Sequence, residues 1–156
     1  MLRDLPSLPG ELGWATDQGE VRVSEPAAGV VLFVEKGYLG AAFVEKLIGV
    51  YERSVEGGGR PHVFIDGGFL TGYEPPLRAD LTTWLRKNRG RLGSVHVLVR
   101  SRIVKMAIAV SNLTLGGMMH TYNERGPFQI ALNQAVARTQ AGAPRLLFPP
   151  SRGSSA

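Results

Sequence analysis

Val30-Val31-Leu32-Phe33-Val34 is five apolar residues in a row. A run of that length reads as a strand buried on both faces, as in the centre of a sheet covered by helices. Just before it, Val21 and Val23 alternate with Glu20, Arg22 and Ser24, the period of a half-buried strand. Glu25-Pro26-Ala27-Ala28-Gly29 separates the two as a turn, so the pair predicts a hairpin. Whatever this chain folds into must place Val30–Val34 between two layers of side chains.

The pattern then alternates. From Leu39 to Val55 the period is helical, with Phe43, Val44, Leu47, Ile48 and Tyr51 on one stripe and Glu45, Lys46, Glu52 and Arg53 opposite. Gly57-Gly58-Gly59 supplies the left-handed conformation that ends helices. His62–Ile65 predicts a third strand that stops at Asp66, followed by a glycine-rich loop. Pro75-Pro76 can open a helix, whose first turn needs no amide donors, with Leu77, Leu81, Trp84 and Leu85 as its buried stripe. Val95–Val99 predicts the fourth strand and Ser101 an N-cap. The segment after it, through Ile103, Val104, Ala107, Ile108 and Val110, is apolar nearly all round and predicts a buried helix, with a strand as the alternative. Met118–Tyr122 predicts the fifth strand. Pro127 opens a last helix with Phe128, Leu132, Ala135 and Val136 on its stripe.

The resulting order is β-β-α-β-α-β-α-β-α. It describes one α/β domain with about four helices and a mixed, mostly parallel five-stranded sheet. Residues 1–18 read as an N-terminal lead-in punctuated by Pro6 and Pro9, in which Trp14 either begins an edge strand or packs over one. The domain proper occupies 19–139, and 140–156 reads as a flexible tail.

Several chemistries are excluded or unsupported. The 156 residues contain no cysteine, which removes disulfides, thiol nucleophiles and thiolate metal sites. No charged region leads into an apolar stretch at Met1–Gly10, and the longest uncharged run, Met106–Asn123, is too polar to span a bilayer. A cytoplasmic protein without a membrane span is expected. His62, His96 and His120 sit on three different predicted strands with no carboxylate cluster beside them, so no metal site is expected. Neither G-x-G-x-x-G nor G-x-x-x-x-G-K-[ST] occurs, and no G-x-S-x-G elbow. No catalytic residue and no cofactor are nominated, and the chain is not expected to be an enzyme.

Charge is the more informative signal. The chain carries 18 Lys and Arg against 13 Asp and Glu, for a net +5. Between Arg78 and Lys105 the net charge is +7, which leaves −2 for the rest. Such a concentration suits an acidic protein surface, nucleic acid or anionic lipid. Nucleic acid is disfavoured because no exposed aromatics interleave the cations for base stacking.

Val63-Phe64-Ile65-Asp66, Thr71-Gly72-Tyr73, Arg78-Ala79-Asp80-Leu81, Trp84-Leu85 and the strand Val95–Val99 together resemble the SpoIIAA-like group of STAS domains, also described as STAS/SEC14-like. The resemblance covers Val21 to Ala137. It implies a bacterial regulatory domain similar to the anti-sigma-factor antagonists. Those bind a kinase-like partner through the loop after the third strand and the helix beyond, and are switched by phosphorylation of a Ser or Thr after an Asp. On that reading the partner-binding residues are Asp66, Thr71, Tyr73, Arg78, Arg86 and Arg89, and the partner is a protein with an acidic surface. The SEC14-like kinship implies an alternative, a carrier or sensor of a small lipophilic ligand held between the sheet and the helix Ile103–Leu115.

Asp66 matches the family's Asp, but Gly67 and Gly68 occupy the hydroxyl positions and the nearest hydroxyl is Thr71. Glycine cannot be phosphorylated. Intact-mass analysis after expression in the native host should show no stoichiometric phosphate; a fully mono-phosphorylated species mapping to Thr71 would overturn this expectation.

Overall fold

The computed structural model describes residues 1–139; the tail predicted over 140–156 lies outside them. Seven strands form a single sheet in chain order: β1 (Arg3–Asp4), β2 (Glu11–Ala15), β3 (Gly19–Ala27), β4 (Val30–Leu39), β5 (His62–Tyr73), β6 (Ser94–Val99) and β7 (Met119–Tyr122). Neighbours from β1 to β4 are antiparallel. From β4 to β7 they are parallel. Among the described residues three helices make the crossovers and a fourth follows the last strand: α1 (Val44–Val55), α2 (Pro75–Asn88), α3 (Arg102–Thr114) and α4 (Arg125–Thr139).

The sheet therefore corrects the expectation of five mostly parallel strands: among the described residues there are seven, with antiparallel and parallel pairings in equal number. The two additional strands come from residues 1–18. Their prolines, Pro6 and Pro9, lie between β1 and β2, not within them. Glu11-Leu12-Gly13-Trp14-Ala15 lacks a clean alternation, and it becomes a strand by pairing along β3, Leu12 against Val23 and Trp14 against Val21. Tertiary pairing has overridden a weak local signal.

A second correction concerns β5. It does not stop at Asp66 but continues through both glycines to Tyr73, paired with β4 up to Leu39↔Tyr73. Two irregularities in register, between Val34 and Lys36 and between Gly37 and Tyr38, accompany this extension. Gly67 is required there, because a Cβ would sit 2.8 Å from the Leu98 carbonyl oxygen of β6. The glycines that looked like a loop are a place of close backbone approach within a strand.

Helices α1, α2 and α3 cover one face of the sheet and α4 the other. Val31, Phe33, Val63, Ile65, Val95, Val97 and Val99 point into the first core, and Val30, Phe64 and Leu98 into the second with Phe128, Leu132 and Ala135. Both faces of Val30–Phe33 are covered, as the apolar run demands. Phe33 stacks on Tyr51 of α1 at 5.0 Å between ring centroids, and Tyr51 meets Trp84 of α2 at 5.1 Å. Trp84 completes the link by donating its indole N–H to Glu52 at 2.6 Å. Ser101 caps α3 as expected, accepting from the Val104 amide at 3.4 Å.

Helix α3 itself departs from expectation. It is not buried all round. Val104, Ile108 and Ser111 face the core, but Ile103, Met106, Val110 and Leu113 are exposed by 64–82%. With α4 on the opposite face and α2 on one side only, nothing covers its outer stripe among the described residues.

Phe33 is 1% exposed and joins β4 to the α1–α2 pair. Phe33→Ala should cost about 3–5 kcal/mol. Thermal or denaturant unfolding checks it: a melting temperature within a degree or two of the parent would contradict this core assignment.

Candidate functional site

The six residues singled out by resemblance do not form one cluster. Asp66 already has partners within the chain. Both its carboxylate oxygens accept from the Arg125 guanidinium, at 2.7 and 3.0 Å, and Oδ1 also accepts from the Gly68 amide at 3.1 Å. Burial alone would raise its pKa, but Arg125, the Gly68 amide and Lys36 outweigh that and hold it below the usual carboxylate value. Asp66 therefore ties the middle of β5 to the start of α4. Thr71 is exposed on the extended part of β5. Tyr73, two residues on, turns inward and donates its hydroxyl to Glu35, at 3.0 and 3.3 Å from the two oxygens.

Arg78 also turns partly inward, lining a small cavity with Glu35, Tyr51, Tyr73, Thr82 and Ser111. Arg86 and Arg89 are exposed, as are Lys87 and Arg91. Arg91 is partly engaged, donating to Asn88 at 3.1 Å and to the Val55 carbonyl at 3.5 Å. Arg89 lies against the end of α3, where a Cβ at Gly116 would come within 3.1 Å of its guanidinium. The basic ridge is thus Arg86, Lys87, Arg89 and Arg91. Arg100 and Arg102, both exposed, and the half-buried Lys105 lie apart from it, at the other end of β6 and of α3. None of these cations is in an ion pair among the described residues.

Two polar groupings emerge that residue spacing did not single out. The first is Glu35, 3% exposed in the core under α1, α2 and α3. Period-two continuation from Val31 and Phe33 places it on the core face, so its position was legible from alternation. Burial pushes its carboxyl up to about 7, against a smaller downward pull from the Tyr73 hydroxyl. The neighbouring Tyr51 phenol is raised as well, by burial and then by the Glu35 charge. Thr82 donates to Ser111 at 3.3 Å across the α2–α3 contact. The cavity they share is only about 40 Å³, room for a few waters.

The second grouping is the histidines, which the parallel register brings together. His96 lies directly opposite His120 on β7 and Phe64 on β5. Its ring stacks on both, at 4.8 and 4.3 Å. His96 shares hydrogen bonds with Tyr122 Oη at 2.8 Å and Ser94 Oγ at 2.9 Å, while His62 shares one with the same Ser94 at 2.7 Å. Burial, then the charges of His120 and His62, push His96 down to about 4. Among the described residues no carboxylate orients either ring toward Ser94, so there the grouping lacks the third member that activates a serine. Among the described residues no set of three His, Cys, Asp or Glu is arranged to hold a metal ion. No described helix is long and apolar enough to cross a membrane.

Comparison with known proteins bears on the fold. No family model matches the sequence, and no curated protein matches it. Among solved structures, an uncharacterized protein of the DUF3478 family from Shewanella loihica PV-4, described as having a SpoIIAA-like fold, superposes with a TM-score of 0.59. The match covers 76% of this chain and 98% of that one at 15% sequence identity. The chain has a SpoIIAA-like α/β fold, as the resemblance to STAS domains implied.

Glu35 and His96 make opposite contributions to stability with pH. A carboxyl raised from 4.5 to about 7 stabilises the fold fully below pH 4.5. That stability, about 3 kcal/mol, is lost as pH climbs through 7. A histidine lowered from 6.5 to about 4 stabilises above pH 6.5 and loses that contribution as pH falls toward 4; His62, also lowered, acts in the same sense. Between pH 4.5 and 6.5 the two slopes oppose each other. Glu35→Gln should remove one of them, so its melting temperature should rise from pH 4.5 to 6.5 more steeply than the parent's. Superimposable profiles for parent and variant would contradict the buried, proton-holding Glu35.

Proposed function

We propose that this chain is a non-enzymatic, STAS-like regulatory domain that binds an acidic protein surface through α2 and the residues flanking it. The observation that carries this reading is the group of exposed cations Arg86, Lys87, Arg89 and Arg91 at the end of α2, with no ion pair among the described residues. Like charges held close together repel, and an acidic partner relieves that repulsion while speeding encounter. Arginine predominates, and its planar fork recognises carboxylates in bidentate fashion. The SpoIIAA-like fold supports a regulatory role by likeness of architecture alone.

The partner-facing residues of this proposal differ from those first singled out. Arg86 and Arg89 stay, joined by Lys87 and Arg91. Asp66 and Tyr73 have structural partners, and Arg78 is half-buried beside Glu35. Thr71 is exposed at the far end of β5 and adds a hydroxyl to the same end of the sheet from which α2 starts.

The alternative, a carrier of a small lipophilic ligand between the sheet and α3, has less support. Sites for such ligands occupy about 300–1,000 Å³ and bury most of the ligand; the space between α3 and the middle of the sheet is about 40 Å³, and the groove of about 480 Å³ between α3 and the edge strand β7 is open to solvent.

Charge reversal on an exposed face should move folding stability by less than about 0.5 kcal/mol. Arg86→Glu with Arg89→Glu should therefore melt with the parent while capturing a native-host partner more slowly and weakly in a pull-down quantified by mass spectrometry. Capture of every partner at parental level by the folded double variant would contradict the proposal.

A further inference from the structure

The outer stripe of α3 repeats with a meaning of its own. Ile103, Met106, Val110 and Leu113 are spaced three, four and three residues apart. At about 100° per residue they fall within roughly 80° of one another, away from the core-facing Val104, Ile108 and Ser111. Three-four spacing is the seam along which one helix packs on another. Residue types agree with the spacing: β-branched Ile103 and Val110 alternate with Met106 and Leu113, which have no branch at Cβ, the order favoured in two-helix seams. Ala107 and Ala109 flank it and let a second backbone approach. Four large apolar side chains exposed by 64–82% on one helix mark a contact surface.

A groove of about 480 Å³ runs beside this stripe, between α3 and β7, bordered by Lys105, Ala109, Leu113 and Thr121. It offers a bed for an element lying along α3. Charge decides what that element is. The seam is cationic at both ends: Arg100, Arg102 and Lys105 at its start, and Arg89 against Gly116 at its finish. Helix α3 carries no carboxylate of its own. A second copy of this chain, laid along it in either direction, would set cations against cations. Membrane-surface helices anchor through Trp, Phe and Leu over a broad apolar face; α3 has no aromatic residue and its outer stripe spans only roughly 80°.

From this geometry we infer that the α3 seam and its groove dock an amphipathic helix of a partner protein, one with an apolar stripe of matching spacing and carboxylates toward both of its ends. This rests on the interaction-domain reading above and adds a second, apolar surface to it. The ridge on α2 then steers the acidic partner, and the seam holds it, the division expected when rim charges govern association and buried apolar anchors govern dissociation.

The test uses a fluorescent synthetic peptide of three heptads with leucine at the seam positions and glutamate on their flanks, and a twin with lysine for glutamate. Fluorescence anisotropy should show the whole protein binding the acidic peptide at least tenfold more tightly than the basic twin. Val110→Asp, at a 64% exposed position, should melt with the parent and weaken binding at least tenfold. Met106→Ser provides a milder second variant with loss in the same direction. Equal binding by parent and Val110→Asp, or no binding to the acidic peptide, overturns the inference. So does a parent that sediments as a dimer and becomes a monomer with Val110→Asp. Binding of phosphatidylglycerol vesicles that depends on Val110 would equally overturn it in favour of a membrane surface. If Arg86→Glu with Arg89→Glu abolishes peptide binding and Val110→Asp does not, the seam fails and the ridge stands. The reverse pattern keeps the seam and removes the ridge.

Discussion

The parallel pairing of β4 with β5 is the constraint on which the rest of this molecule depends. Residues Val30–Phe33 of β4 lie against His62–Ile65 of β5, and both stretches are covered on both faces. On one side of this pair the sheet is an antiparallel meander; on the other every connection is a helical crossover. Because a parallel neighbour needs such a crossover, α1, α2 and α3 all return over one face. The chain therefore places three helices in a row there, and α3, next to the β7 edge, has a flank with no helix beside it among the described residues.

The two faces consequently do different things. The α4 face is closed by specific polar links: Asp66 grips Arg125, and the His96 stack with Ser94 and Tyr122 sits beneath α4. These groups satisfy one another, which makes them structural. On the other face, the Phe33–Tyr51–Trp84 stack and the buried Glu35 hold α1 and α2 in place, while exposed cations without ion pairs among the described residues and the uncovered apolar stripe of α3 point outward. A surface that is both uncompensated in charge and uncovered in apolar area is where an interaction protein would meet its partner.

Much of this was legible in the sequence, for definable reasons. Val30–Val34 announced a central strand because no other placement hides five consecutive apolar side chains. The stripes of α1, α2 and α4 were legible because their periods contrast with polar residues opposite. What failed was whatever depends on pairing. Glu11–Ala15 became a strand through β3, and Gly67-Gly68 read as a loop because a glycine's need for close approach looks locally like a need for a turn. Asp66 matched a family position, yet its partner Arg125 lies 59 residues away and no local pattern joins them. On α3 the residues were read correctly as apolar but wrongly as buried: composition says how apolar a helix is, and only the packing says what covers it. The three-four spacing that singles out its outer seam was nonetheless present in the sequence.

The central claim is that the α2–α3 face, not the α4 face, is where this protein meets others. Photo-crosslinking in the native host tests it most directly, with a photoreactive amino acid placed at Met106 on α3 or at Ile130 on α4, positions exposed by 67% and 59%. The account predicts discrete protein adducts from position 106, reduced by Arg86→Glu with Arg89→Glu, and only background from position 130. Adducts of equal yield from both positions, or from position 130 alone, would contradict it.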